Sequence, residues 1–427
     1  MGIRNLNRFI QSKCQEASAR IHLRDLTGQK IAVDTSIYMY RYAGEGALLE
    51  NMYLMASLFR HYNIHAVFVF DGIPPPQKTD IIELRRKKKE QAKKQYDTIA
   101  EVVAQKKRET AATGIATPAD ITGIADLEES MRELKKQFAR LRDCDITNVK
   151  ELLVSFGFAI VDAEGEADVL CAKLSVKKRV YACLSDDTDM FVYGCPIVLR
   201  HISLLNHSVV SYDTTEILKT LAITQQEFKM MCVVSGTDYT VRAMTPKSTT
   251  TASLESVYQK LLKYKSMTYK EQRKYHDSGG GFYDWYIQNS SPLDKSAITY
   301  LSNEAMFDIQ TGTDQYKQLV ILNRDNIHKK RIVEIMMKED FIFIEPKPSD
   351  HKIIKTLVSG NATLTTSPVY GVGVWDDTGV GPSSVVDVSP EEKQASILAN
   401  EVYGIQATSY EELRHKYRET KPRMVRD

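Results

Sequence analysis

Four short apolar runs, rich in β-branched residues, each stop at acidic side chains: 30–33 before Asp34, 66–70 before Asp71, 158–161 before Asp162 and Glu164, and 180–184 before Asp186 and Asp187. Runs of that length predict buried strands. Between them the period lengthens to that of helices, over 48–62 and over 149–156, the latter with Thr147 as its cap and Gly157 as its stop. Strands alternating with helices predict an α/β fold around a mostly parallel central sheet flanked by helices. In such sheets ligands collect at the carboxyl ends of the strands. The pattern therefore lines the acids along one edge of one cleft.

An insert, 78–145, separates the second strand from the third. It opens with charged helical sequence, passes through an Ala-, Thr-, Gly- and Pro-rich stretch at 110–124, and resumes as a second basic helix over 127–142. The middle stretch predicts a flexible crossing, so the insert forms either an arch or a solvated helical hairpin. Farther on, Thr224 and Glu227 make a capping-box pattern that predicts a helix over 225–234, leading into Ser235, Gly236, Thr237 and Asp238. Gly279, Gly280 and Gly281 predict a hinge that closes the core. A loop at 367–390 follows, in which Gly371 and Gly373 are too few for a dinucleotide fingerprint, and Ser389 caps a final helix. These marks divide the chain into a core of 1–275, with an N-terminal region (1–90), the insert (78–145) and an internal region (146–275), and a helical and irregular C-terminal region of 276–427.

Composition narrows the class. With 427 residues, 43% of them hydrophobic, the chain has ample material for a buried core. No run approaches the roughly 18 consecutive apolar residues of a membrane span, and the start lacks the apolar stretch of a signal peptide. Leu6 stands where a myristoylation signal needs Ser or Thr. The expectation is an intracellular protein without a membrane partner. Cys14, Cys144, Cys171, Cys183, Cys195 and Cys232 show no paired spacing and no histidine-rich neighbourhood, which argues against zinc and against a disulfide framework and predicts buried free thiols. Net charge is only +2, but placement is uneven: 85–109 holds ten Lys or Arg against four acids, and the tail at 414–426 is also basic. Either can meet a phosphate backbone.

Taken singly, an aspartate after a strand more often caps the next helix than binds a metal. Together, Asp34, Asp71, the pair Glu164 and Glu166, the pair Asp187 and Asp189, and Asp238 form a plausible single cluster. Such crowding is costly without a cation, because each anion raises its neighbours' pKa values. Phosphodiester hydrolysis suits it: two Mg2+ ions about 4 Å apart can activate the water and stabilise the leaving oxygen. Mg2+ takes oxygen ligands and keeps several waters.

Six ordered motifs carry a family resemblance. The start Met1-Gly2-Ile3-Arg4-Asn5-Leu6, Val33-Asp34-Thr35-Ser36, Phe70-Asp71-Gly72-Ile73-Pro74-Pro75, Glu164-Gly165-Glu166-Ala167-Asp168, Ser185-Asp186-Asp187-Thr188-Asp189 and Ser235-Gly236-Thr237-Asp238-Tyr239 closely resemble the flap endonuclease, or XPG/Rad2, family over about residues 1–263. The resemblance implies a PIN-like core, a helical arch, a helix-turn-helix-type DNA-binding region, two Mg2+ ions with Mn2+ as a substitute, and structure-specific 5′ nuclease activity on flapped or branched DNA. It implies that Asp34, Asp71, Glu164 and Glu166 serve one side of the metal pair and Asp187, Asp189 and Asp238 the other, with Asp168 and Asp186 as outer acids. By spacing from the second strand, Lys78 and Arg85 match basic residues that hold the scissile phosphate; ordinary surface charge is the plainer reading. Tyr40 falls where the family stacks an aromatic on a base, although Tyr38 or Tyr42 could serve and core packing is an equal reading for all three. Gly2 matches a glycine that lets the backbone approach the active site. Arg86, Lys87, Lys88 and Lys247 are further candidates for nucleic-acid contacts.

The likeness weakens at 241–247. There the family's Gly-Ile-Gly-Pro-type turn grips the duplex and often K+, and only Pro246 and Lys247 persist. No sliding-clamp box is recognisable in the tail, and a monomer is expected. These departures resemble relatives encoded by large DNA viruses of eukaryotes, so the compartment is the nucleus or, for a viral protein, the host nucleus or a cytoplasmic replication site. Two other readings stay open: a 5′–3′ exonuclease on DNA or RNA ends, and a catalytically silent DNA-junction scaffold, against which the full set of acids argues. A haloacid dehalogenase-type phosphatase fits poorly, since Asp34-Thr35-Ser36 lacks that family's second Asp.

Overall fold

The computed structural model describes residues 2–3, 5–113, 118–237, 253–290, 297–309, 317, 319–321, 323, 325, 327–338 and 341. Asp238, Lys247, the turn at 241–247, the loop at 367–390, Ser389 and the basic tail lie outside them. Seven strands form one sheet: β1 (Ser18–His22), β2 (Lys30–Asp34), β3 (His65–Phe70), β4 (Ala159–Asp162), β5 (Ala182–Leu184), β6 (Ile197–Ser203) and β7 (Ser208–Asp213). Their order is β1-β7-β6-β5-β2-β3-β4. The pairings β3 to β4, β2 to β3, β2 to β5 and β5 to β6 are parallel. The pairings of β7 with β6 and with β1 are antiparallel. The mostly parallel α/β sheet flanked by helices that the pattern predicts is therefore present, with an antiparallel edge that the four apolar runs did not reveal.

Although the central strands read as continuous apolar runs, the pleat divides them between two faces. Ile31, Val33, Ala66, Phe68, Phe70, Ala182 and Leu184 bury on one side with Met52, Tyr53, Phe59 and Leu152. Ala32, Val67, Val69 and Cys183 bury on the other with Leu6, Ile10, Leu170, Phe191 and Phe228. Parallel registry sets Val33 against Leu184, Asp34 against Val69, and Phe70 against Asp162, so the strands end side by side. The acids that follow the parallel strands β2, β3, β4 and β5 are thereby delivered to one edge.

Helix boundaries differ from the pattern in instructive places. The expected crossing at 110–124 is mostly helical: one helix runs Thr79–Thr113 and the next Pro118–Gln137. Alanine favours helix strongly enough to offset nearby Thr and Gly, and proline is well tolerated at a first helical position. The two helices are tied by Tyr96 against Phe138, with ring centroids 5.4 Å apart, and by Lys107 Nζ 2.7 Å from Glu128. The following helix, Asp143–Ser155, starts earlier than predicted. Asp145 caps it by accepting the Arg142 N–H at 2.9 Å, whereas Thr147 lies inside and bonds back to the Asp143 carbonyl at 2.9 Å. Thr224 does cap Gln225–Ser235 in a full capping box, as predicted.

The glycines at 279–281 do not close the core. They join Tyr269–His276 to Phe282–Gln288, and Phe282, Tyr283, Trp285 and Tyr300 bury in the same cluster as Phe191 and Phe228. The last helix among the described residues, Lys329–Met337, covers the other sheet face with Ile332, Ile335 and Met336. All six cysteines are free; five are buried as expected, and Cys144 is exposed. No helix among the described residues is long and apolar enough to cross a membrane.

Candidate active site

At the end of β2, Asp34 is only 4% exposed and accepts a 2.9 Å hydrogen bond from the Ser185 hydroxyl, which follows β5. Burial, then the charges of Asp168 and Asp71, and beyond them Asp187, hold its pKa well above the ordinary carboxylate range. Asp71, just past β3, accepts the Ala167 N–H at 2.9 Å and so caps the helix Ala167–Val176 across the cleft. The loops bearing Asp71 and Glu166 touch closely. The Gly72 N–H donates to the Gly165 carbonyl at 2.7 Å, and a Cβ on Gly72 would stand 2.0 Å from the Ala163 oxygen. Only glycine permits that approach.

Beyond β5 the chain turns tightly. The Asp187 N–H donates to Ser185 Oγ at 3.1 Å, and the Asp189 N–H donates to Asp187 Oδ1 at 3.1 Å. Gly2, at a φ of +80°, lies over this turn: a Cβ there would be 2.2 Å from Asp187 Oδ1 and 2.6 Å from Asp189 Oδ1. The close backbone approach expected of Gly2 is thus present in the geometry.

Lys78 is no ordinary surface charge. It is 7% exposed, and its Nζ meets Glu166 Oε1 at 2.7 Å. Asp168, an outer acid in the sequence reading, is buried within the cluster. Burial raises its pKa to about 7, Lys78 opposing and Glu166 and Asp187 adding to the rise. Its signal was the Glu-Ala-Asp spacing at the start of a helix, which puts Asp168 in the first turn, two positions beyond Glu166. The structure therefore brings together Asp34, Asp71, Glu166, Asp168, Asp187 and Asp189. Glu164 stays exposed on its loop. Asp186 turns away to pair with Arg41.

On the helix Thr35–Glu45 that follows Asp34, Tyr40 is 45% exposed, with Lys89 Nζ 4.6 Å from its ring centroid. Tyr38 and Tyr42 are buried in the core, so the structure removes them as exposed stacking platforms. Arg85 is half-buried and, with Arg140, lowers the Lys89 pKa, an effect in which burial comes first. Arg86, Lys87 and Lys88 are exposed; Arg86 pairs with Glu83 at 2.8 Å and Glu90 at 3.4 Å, and Lys87 with Glu83 at 3.6 Å. Part of that basic face is neutralised along its own helix.

The donor set is all carboxylate oxygen, the chemistry that hard divalent cations take, and the crowding of like charge leaves a deficit that a cation would relieve. Among the described residues no three acids, histidines or cysteines converge closely enough to enclose an ion by themselves.

Known proteins share this arrangement of motifs. Residues 1–92 match the model of the XPG N-terminal domain, and residues 157–238 match the model of the XPG I-region. Over these two segments the chain is similar to proteins of the XPG/Rad2 nuclease family. It is 28% identical over 288 residues to the probable RAD2-like endonuclease 369L of Invertebrate iridescent virus 6, covering 56% of this chain and 67% of that protein. It is 28% identical over 267 residues to flap endonuclease 1 of Aedes aegypti, covering 58% and 64%. The matches thus span about two thirds of the length of these curated relatives. Among solved structures it is similar to flap endonuclease-1 from Methanococcus jannaschii (20% identity, 76% of this chain and 91% of that chain, TM-score 0.48). It is also similar to the Holliday junction-resolving enzyme GEN1 in complex with product DNA and Mg2+ (16% identity, 82% and 76%, TM-score 0.49). Asp34, Asp71, Lys78 and Arg85 fall in the first XPG/Rad2 segment, and Glu164, Glu166, Asp168, Asp187, Asp189 and Asp238 in the second; most of the insert lies between.

Proposed function

We propose that this chain is a divalent-metal-dependent, structure-specific 5′ nuclease that hydrolyses phosphodiester bonds in flapped or branched DNA. The gathering of carboxylates at one sheet edge, with Asp34, Asp168 and Asp189 buried and Lys78 aimed into it, is the observation that carries the reading. Asp34, Asp71, Glu164 and Glu166 on one side, and Asp187, Asp189 and Asp238 on the other, would hold two Mg2+ ions, or Mn2+ in their place. When bound, such ions lower the pKa of a water and neutralise charge on the leaving oxygen. Gly2 leaves room for that arrangement, and the Ser185 hydroxyl keeps Asp34 oriented.

Lys78 and Arg85 hold the phosphate at the base of the insert, where low dielectric strengthens each contact. Tyr40 offers its face to a neighbouring base, backed by the Lys89 ammonium. The basic insert, 78–145, is the arch that receives the free 5′ strand, with Arg86, Lys87 and Lys88 along it; Lys247 contributes to a duplex grip beyond. Residues 1–275 carry every contact in this scheme, and the chain acts as a monomer.

Purified protein challenged with labelled 5′-flap, nicked, gapped, Holliday-junction and RNA substrates, in Mg2+ and in EDTA, tests the reading. Mg2+-dependent incision at the flap junction supports it. Degradation of ends without junction preference would indicate the exonuclease instead, and junction binding without any cutting would indicate a scaffold.

A further inference from the structure

Asp186 and Asp187 are neighbours in sequence, yet their side chains have separate surroundings. Asp186 accepts the His201 N–H at 2.8 Å, pairs with Arg41 through its other oxygen, and offers its carbonyl to Arg200 Nη2 at 2.7 Å. Arg200 sits in β6, 4% exposed. Its Nη1 donates to Asn7 Oδ1 at 2.7 Å, and its guanidinium lies 5.9 Å from the ring centroids of both Phe191 and Tyr212. Asn7, on the helix Leu6–Lys13, also accepts the Tyr212 hydroxyl at 3.2 Å.

A buried guanidinium is an expensive way to fill a strand position flanked by Leu199 and apolar rings, because desolvation opposes its charge. Burial does lower its pKa, with Tyr212 and Asp187 acting in the opposite direction. A leucine would pack without that cost. What a leucine could not supply is a fixed donor reaching from the N-terminal helix to the backbone of the aspartate turn. Just before that helix stands Ile3, whose carbonyl accepts the Thr188 hydroxyl at 3.4 Å, so the N-terminal segment and the turn are joined at two points.

We propose that Arg200 is a positioning residue for the candidate metal centre: by fixing the Asp186 carbonyl, it sets where Asp187 and Asp189 stand relative to Asp34, with Asn7 holding it in place. The inference rests on the nuclease reading of that centre. Arg200 touches neither substrate nor ion; it acts through the turn.

The test is Mn2+ binding to the full chain, followed by electron paramagnetic resonance, alongside thermal melting and the Mg2+ dependence of single-turnover flap cleavage. Arg200→Met keeps the side-chain volume and removes the charge. It is expected to weaken Mn2+ binding about 10- to 100-fold, the range for partners that orient metal ligands. Arg200→Lys is expected to recover part of that loss, and Asn7→Ala to lose affinity in the same direction by less, with a melt still cooperative. Wild-type Mn2+ affinity in a folded Arg200→Met protein overturns the proposal. Should that variant fail to fold, wild-type affinity in Asn7→Ala overturns it equally. Mn2+ binding by the wild type without incision of any branched DNA would refute the nuclease reading and leave this test intact. Absence of Mn2+ binding by the wild type would refute the metal centre itself.

Discussion

Two clusters of titratable groups in this molecule respond to burial in opposite ways. Around Asp34 and Asp168, burial and neighbouring carboxylates push pKa values up. Around the β6–β7 turn, burial followed by the charges of His22 and His61 pushes His207 down to about 4. The second cluster is electrically quiet: Tyr62 Oη lies 2.8 Å from His207 Nδ1, the His207 carbonyl accepts the Leu23 N–H at 2.7 Å, and neutral rings pack edge to face. Histidine can go neutral near physiological pH with little cost, whereas six gathered carboxylates cannot all do so. Desolvated groups that settle as neutral rings mark a structural junction. Carboxylates whose ionisation is opposed by burial and by one another mark a place that a cation would relieve.

The comparison can be broken most directly at the acids. Asp187→Asn should reduce single-turnover cleavage of a 5′-flap substrate in Mg2+ by at least about a thousandfold, the scale of several kcal/mol of lost charge stabilisation. Flap binding measured in Ca2+ should persist, and undiminished turnover would remove the acid cluster from the chemistry. Lys78→Ala comes next. It should slow the same single-turnover rate about a hundredfold, as loss of one donor to developing charge does, while leaving flap affinity nearly unchanged. Equal losses in rate and affinity would make Lys78 a binding residue only.

Tyr40→Ala is expected to weaken flap binding about tenfold, within the range for one lost base stack, and Tyr40→Phe to restore it. No change in either would return Tyr40 to the status of a surface ring. The smallest effect belongs to the quiet cluster. Because the folded-state pKa of His207 is depressed from 6.5 to about 4, the unfolded chain takes up a proton that the folded one refuses as pH falls through that window. Stability is flat above the window and lost within it. His207→Asn, which tolerates the positive φ of 47° at this position, should lose less stability on acidification. Urea midpoints at about pH 7.5 and about pH 5 measure it, and parallel losses in both proteins would show that His207 is not the sensor.

Several features were legible before any coordinates. The runs ending at Asp34, Asp71 and Asp187 became adjacent parallel strands, Thr224 and Glu227 capped their helix, and Gly2 came to rest against the aspartate turn. The antiparallel strands β1 and β7 escaped notice because, next to the acid-tipped central runs, their mixed polar and apolar residues carry little signal. Thr147 looked like a cap, but Asp145 reached the Arg142 N–H first. Arg200 carried a faint mark, a charge inside the apolar run of β6, that gains meaning only when Asn7 and the Asp186 carbonyl are seen beside it.

Local sequence settled what depends on short-range forces: strand and helix type follow from the spacing of apolar residues, and the delivery of acids to one edge follows from where those runs stop. Only tertiary structure decided which acids face one another. Asp168 entered the cluster and Asp186 turned to Arg41, because facing depends on strand registry and on the close contact of the loops at Gly72 and Ala163. Spacing along a chain fixes neither distance nor desolvation between residues a hundred positions apart, and it is those two quantities that set the electrostatics of the site.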